Sequence, residues 1–177
     1  DVCFTHDMVS RCVSRKVDTR GDRCGGMRFT RVVVGLLVLP HEAAHAVVAA
    51  LAGLDPEVTV LPDWDGSAEP LGQFDADIPP ETSTWVIRLI AVAPLVIYLG
   101  VAAVVGAVSR STSLSSLAAA LVIGFWASLS DGDIAVAANP HAARDAGRLL
   151  VPPSRWSRFS PLVTVGTVLA VAGLVFV

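Results

Sequence analysis

Charged residues are scarce in this chain. Only 16% of its 177 residues are charged, whereas 53% are hydrophobic, and the mean hydropathy is +0.62. Soluble globular domains usually contain about 25% charged residues. This shortage excludes an ordinary water-exposed surface and favours a single compact membrane domain.

Basic residues that could hold a polyanion are also few. The chain has a single lysine, Lys16, against twelve arginines, and no basic patch with interleaved aromatic residues. Nothing in the sequence therefore supports nucleic-acid binding. From Met27 onward, twelve acidic residues stand against eight arginines, which gives a net charge of −4. Acid-rich, lysine-poor loops of this kind suit a protein that faces high salt.

Cysteine is absent after the first 26 residues, which differ in composition from the rest. The three cysteines of that segment are Cys3, Cys12 and Cys24. Their spacing matches no zinc-binding pattern, and the segment lacks the apolar core of a signal peptide. Met27 then leads through a short basic stretch into a long apolar run. We predict that residues 1–26 are a disordered or spurious N-terminal extension and that residues 27–177 form one membrane-embedded domain.

Four apolar stretches are candidate membrane spans. They cover residues 32–54, 85–108, 114–129 and 161–177. A helix needs about 20 apolar residues to cross a bilayer, so the first two have full length and the last two are short. Between the first two, turn residues separate possible strands near 58–61 and 73–76. The predicted fold is an all-α polytopic membrane protein with about four transmembrane helices and a short β-hairpin-like excursion after the first.

The segment 134–150 predicts one further helix, amphipathic or partly inserted, that ends before Pro152-Pro153. Arginines before the first span and after the second favour a cytoplasmic location for both of those ends. The arginines of residues 144–158 would then lie on the opposite side if there are only four simple spans. The sequence therefore leaves open whether this helix dips back into the membrane.

The first apolar stretch contains His41-Glu42-Ala43-Ala44-His45, directly after Pro40. Residues i and i+4 share one face of a helix, so His41 and His45 can bind a single metal ion. Glu42 lies where it can act as a general base toward a water molecule at the metal. No other ionisable residue occurs in Val32–Leu54, and each such group costs about 2–3 kcal/mol in a bilayer. A chance match is therefore the weaker interpretation. Pro40 predicts either a kink that opens room for a metal and water or a mere irregularity of the helix.

A catalytic zinc ion normally has three protein ligands, so a third must come from elsewhere in the chain. Asp131 and Asp133 directly follow the third apolar stretch, and His141 is also available. Ser130 and Asp133 match a helix-capping pattern as well, which is a purely structural interpretation. Capping and ligation do not exclude each other, since the two aspartates could divide these tasks.

Together these motifs resemble those of the site-2 protease family of intramembrane zinc metalloproteases. The resemblance covers about residues 32–138 and implies that Zn²⁺ is held by the two histidines and one aspartate, with Glu42 activating water. The family's Leu-Asp-Gly motif is matched loosely by Asp131-Gly132. Smaller relatives carry the aspartate in a Ser/Gly-rich stretch before a helix, which favours Asp133. The chain departs from the family in lacking a PDZ domain and in having Asn139-Pro140 after the aspartate rather than before it.

The resemblance predicts a multi-pass protein of the cell membrane that acts as a zinc metalloendopeptidase. Its partners would be the lipid bilayer and membrane-associated peptide or protein substrates, with no nucleic acid. The alternative is a non-proteolytic membrane metal-binding or scaffold protein derived from the same fold. The presence of Glu42 favours hydrolysis, because a purely structural metal site needs no general base.

Overall fold

The computed structural model describes residues 23–60, 72–109, 113–149 and 155–176. Most of these residues are helical. The helices are α1 (Arg23–Leu51), α2 (Thr84–Ala91), α3 (Ala93–Ser109), α4 (Leu114–Ala127), α5 (Asp131–Ala138), α6 (Pro140–Ala146) and α7 (Ser160–Phe176). Strands β1 (Pro56–Val60) and β2 (Gly72–Ala76) pair in antiparallel register, with Val58 opposite Phe74. The predicted excursion is therefore confirmed as a two-stranded sheet between α1 and α2.

Within the described ranges, one helix is by itself long and apolar enough to cross a membrane, over Val32–Leu51 of α1. α1 ends three residues earlier than predicted, because Gly53 adopts a left-handed conformation (φ 79°). The amide of Leu54 then turns back to the carbonyl of Ala49, an arrangement that closes helix C-termini. At its other end α1 begins at Arg23, and residues 1–22 of the predicted extension lie outside the described residues.

The second predicted span is broken into two helices, whereas the third is covered by α4 alone, and α5 follows α4 at a bend. α2 and α3 meet at an angle of 54°, and α4 and α5 meet at 49°. If each bent pair is one span, the structure has up to three candidate spans by length and composition. α7, with 17 residues, is a shorter apolar helix. The full count of about four spans stays a prediction.

The prediction of a single helix over residues 134–150 is wrong, because the helix is interrupted at Asn139. The side chain of Asn139 caps α6 by accepting a hydrogen bond from the amide of Ala142, and Pro140 occupies the first turn. Proline suits a helix start, where its missing N–H costs nothing, and it disrupts a helix interior. α6 then ends at Gly147, which has a left-handed φ of 70°.

Two clusters of buried apolar side chains divide the packing. The cluster nearer the hairpin joins α1, β2, α2, α5 and α6, and it includes Ala49, Ile87, Ile90, Val136 and Leu149. The other joins α3, α4 and α7 and includes Ala102, Ile123, Val171 and Val175. Many large apolar side chains on α1, α3, α4 and α7 point outward instead of into these clusters. Outward-facing apolar side chains on this scale are typical of helices that contact lipid.

Close packing of α3 against α7 depends on Gly106, and its substitution is expected to destabilise the fold. A Cβ atom at this position would overlap the carbonyl oxygen of Leu174 in α7. We expect Gly106→Ala to cost about 1–3 kcal/mol of unfolding free energy, as overpacking usually does. The matched control is Gly100→Ala on the same helix, where nothing lies within 4 Å of the added atom. Thermal unfolding in detergent measures both variants, and equal stability of the two would contradict this account.

Candidate metal centre

His41 and His45 lie side by side on α1, one helical turn apart. Their rings are edge to face with centroids 5.0 Å apart, and their Nε2 atoms are 3.4 Å apart. His45 is only 2% exposed. The i, i+4 spacing thus places both imidazoles together on the inner face of the helix, as predicted.

Asp133, in the first turn of α5, brings a carboxylate to both histidines. Its Oδ2 lies 3.3 Å from His41 Nε2, and its Oδ1 lies 3.1 Å from His45 Nε2. Each of the three residues offers one potential ligand atom, and these atoms all lie within 4.8 Å of one another. Asp131 is not part of this group, and His141 is exposed on α6, where its ring contacts Arg144. Of the three candidates for a third ligand, the structure therefore brings Asp133 to the histidines.

Asp133 also caps α5. Its Oδ2 accepts a hydrogen bond of 2.7 Å from the amide of Ser130, while the Ser130 hydroxyl accepts one of 3.2 Å from the amide of Asp133. This reciprocal pair is a capping box. The two aspartates therefore do not divide the tasks as the sequence allowed, because the capping carboxylate is the one that faces the histidines.

Main-chain carbonyls hold the far side of each imidazole. His41 Nδ1 donates to the carbonyl oxygen of Trp126 at 3.0 Å, and His45 Nδ1 donates to that of Ile90 at 2.7 Å. A carbonyl oxygen only accepts hydrogen bonds, so both Nδ1 atoms must carry hydrogen. In a neutral ring, Nε2 then has a free lone pair, which is how metal-binding histidines are usually oriented.

The three candidate ligand groups suit a metal cation. Each presents a lone pair or a negative charge, so the two nitrogen atoms and the carboxylate repel one another unless a proton or a cation lies between them. Imidazole nitrogen and carboxylate oxygen are both common zinc ligands, and three protein ligands leave one coordination position open. The residues present could therefore hold zinc at the three atoms His41 Nε2, His45 Nε2 and an Asp133 oxygen.

A cavity of about 360 Å³ adjoins these atoms. Glu42, His45 and Asp133 lie on its wall, so the candidate general base and two of the candidate ligands face one space. Phe74 of β2 also lines it and stacks on the ring of His45, with centroids 5.4 Å apart. The rest of the wall is largely apolar, with Ile90, Ala91, Val136 and Leu149.

No protein-family model, no curated protein and no solved structure matches the chain. Its function is accordingly inferred from the residues of the site.

The turn before His41 is secured by two aromatic side chains that sequence reasoning missed. Pro40 lies inside α1, which continues through it as one helix. The Tyr98 hydroxyl donates to the carbonyl of Pro40 at 2.7 Å, and the Trp126 indole donates to that of Leu37 at 2.8 Å. Side chains of α3 and α4 thus bond to the main chain of α1 at and just before Pro40, where the kink was predicted. Nothing in the sequence near either aromatic residue indicates this role, because it depends on how the helices pack.

Proposed function

We propose that this protein is a membrane-embedded zinc metallopeptidase of the site-2 protease type. The observation that carries the proposal is the convergence of His41 Nε2, His45 Nε2 and the Asp133 carboxylate beside a cavity that also exposes Glu42. The two histidines belong to the helix that is long and apolar enough to cross a membrane. Placing charged and polar side chains at membrane depth costs free energy, so their presence in this helix favours a functional role for them.

Zinc bound by these three side chains would supply Lewis acidity, which polarises a peptide carbonyl and makes water acidic enough to ionise near neutral pH. Glu42 lies outside the ligand group, so its carboxylate is free to accept a proton from water and return it to the leaving amine. The carbonyls of Ile90 and Trp126 hold the imidazoles in place during these steps.

The proposed substrate is a membrane-associated peptide or protein. Its cleaved bond must reach the wall shared by Glu42 and the candidate ligands, and a peptide bond within a regular helix is shielded by its own side chains. The segment must therefore unwind before cleavage. The apolar wall formed by Ile90, Val136 and Leu149 favours an apolar side chain next to the cleaved bond. A multi-pass location in the cell membrane, with the bent helix pairs and α7 as further spans, belongs to the same proposal.

Metal analysis of the protein purified in mild detergent tests this function. We expect stoichiometric zinc in the unmodified chain and loss of that zinc in His41→Ala, because two of the three candidate ligands cannot hold the ion alone. The matched control is His141→Ala, which alters an exposed histidine outside the group and should retain zinc. Unchanged zinc content in His41→Ala would end the metal hypothesis.

Cleavage is measured in the same preparations with a panel of membrane-inserted peptides. Zinc-dependent cleavage by the unmodified chain and by His141→Ala, but not by His41→Ala, is the expected result. Retained zinc without cleavage of any peptide would instead favour the alternative, a membrane metal-binding or scaffold protein.

A further inference from the structure

Both histidines are held by carbonyls that lie at breaks in the bent helix pairs. The carbonyl of Ile90 belongs to the last turn of α2, and that of Trp126 belongs to the last turn of α4. The last carbonyls of a helix have no amide partner within it, so they are available to other donors. The positions of the two breaks therefore decide where acceptors for the imidazoles occur.

At the first break, the missing donor can be named. In a continuous α-helix the amide of residue 94 would bond to the carbonyl of Ile90, and residue 94 is a proline, which has no amide hydrogen. The nearby amide of Val92 is shared between the carbonyls of Arg88 and Ile90. His45 Nδ1 takes the position left by the missing amide, at 2.7 Å from the oxygen. Ile90 and Pro94 are fully buried and His45 nearly so, which excludes water as a ready substitute.

At the second break, a carbonyl in the last turn of a helix is again bound by a histidine, in this case His41. α4 ends at Ala127, and the amide of Ser130, which would bond to the Trp126 carbonyl in a continuing helix, donates to Asp133 instead. His41 Nδ1 then donates to the Trp126 carbonyl at 3.0 Å. This break thus provides the carbonyl that accepts from His41 and the amide that donates to Asp133. Each of the two bends therefore provides the acceptor for one of the two imidazoles.

We propose that Pro94 is a positioning residue for the metal centre. By leaving the carbonyl of Ile90 without its helical amide, Pro94 fixes His45 with hydrogen on Nδ1 and directs Nε2 at His41 and Asp133. This inference rests on the proposed function only in that the site binds a metal. A purely structural role, in which Pro94 simply bends the α2–α3 pair, would require no change in His45 when the amide is restored.

The test is Pro94→Ala, which restores an amide that can bond to Ile90 and compete with His45. We expect the dissociation constant for Co²⁺ or Zn²⁺ to rise about 10–100-fold, the usual cost of losing an outer-shell partner of a metal-binding histidine. Pro94→Val, which also restores the amide and fills more of the buried space, should give the same result if the alanine variant folds poorly. The matched control is Pro161→Ala in the exposed first turn of α7, where no change in metal affinity is expected.

A second measurement needs no metal. Nitrogen NMR of the histidine side chains in metal-free protein should show hydrogen on Nδ1 of His45 in the unmodified chain, and a mixture of tautomers in the Pro94 variants. An unchanged His45 signal together with unchanged metal affinity in a folded Pro94 variant would overturn the inference. If the unmodified chain binds no metal, the proposed function fails, and the NMR comparison alone then decides whether Pro94 positions His45.

Discussion

Replacing Glu42 with glutamine is expected to leave zinc bound while reducing peptide cleavage about 10²–10⁴-fold, the usual contribution of a general acid–base group. Glu42 lies on the cavity wall beside His45 and Asp133 but is not a member of the ligand group. Glutamine has nearly the same shape as glutamate, so the cavity keeps its form. Its amide cannot accept a proton from water, however, and the rate should fall without a matching loss of metal.

Zinc content and the initial rate of cleavage, measured on one preparation, check this result. The control is Glu81→Gln, which alters an exposed glutamate before α2 and should change neither quantity. Near-normal cleavage by Glu42→Gln would contradict the assignment of Glu42 as the base. Loss of zinc from Glu42→Gln would instead show that Glu42 contributes to metal binding.

Asp133→Asn is expected to have the largest effect on metal affinity after loss of a histidine. The substitution removes the negative charge that faces both Nε2 atoms and replaces one carboxylate oxygen with an NH₂ group. We expect zinc affinity to fall by more than the roughly 10–100-fold that loss of an outer-shell partner costs. The asparagine side chain keeps an oxygen that can accept from the Ser130 amide, so α5 should still form.

The chain provides a matched control two residues away. Asp131→Asn removes the same charge from the same turn of α5, but Asp131 lies outside the group that faces the histidines. Isothermal titration of both metal-free variants with Zn²⁺ compares them directly. Weaker binding in Asp131→Asn than in Asp133→Asn would reverse the assignment of the third ligand.

The sequence predicted the parts of the candidate site that depend on local spacing. His41 and His45 come together because four residues make about one helical turn, and this holds for any helix in which they occur. Asp133 was one of three candidates for the third ligand, since Ser130-x-x-Asp133 indicates a helix start without showing what lies opposite it. The hairpin was visible because its turn residues interrupt the apolar pattern.

The rest depends on main-chain groups and on packing between distant elements. The acceptors of His41 and His45 are carbonyls, which every residue has, so side-chain identity does not mark them. Pro94 was the available signal, because a proline four residues after Ile90 predicts one unpaired carbonyl there. The stacking of Phe74 on His45 had no comparable signal, since it requires β2 to fold back over α1. The length of an apolar stretch likewise indicates a candidate membrane span, but it does not indicate where the helix bends.

Because of the capping box of α5, the geometry of the candidate centre depends on the number of residues between α4 and α5. The carboxylate of Asp133 faces α1 because α5 begins directly after Ser130, two residues beyond the end cap of α4 at Ser128. Successive residues of a helix are rotated by about 100°, so starting α5 one residue earlier or later would turn Asp133 away from both histidines. The connection between α4 and α5 should therefore tolerate neither an insertion nor a deletion of one residue.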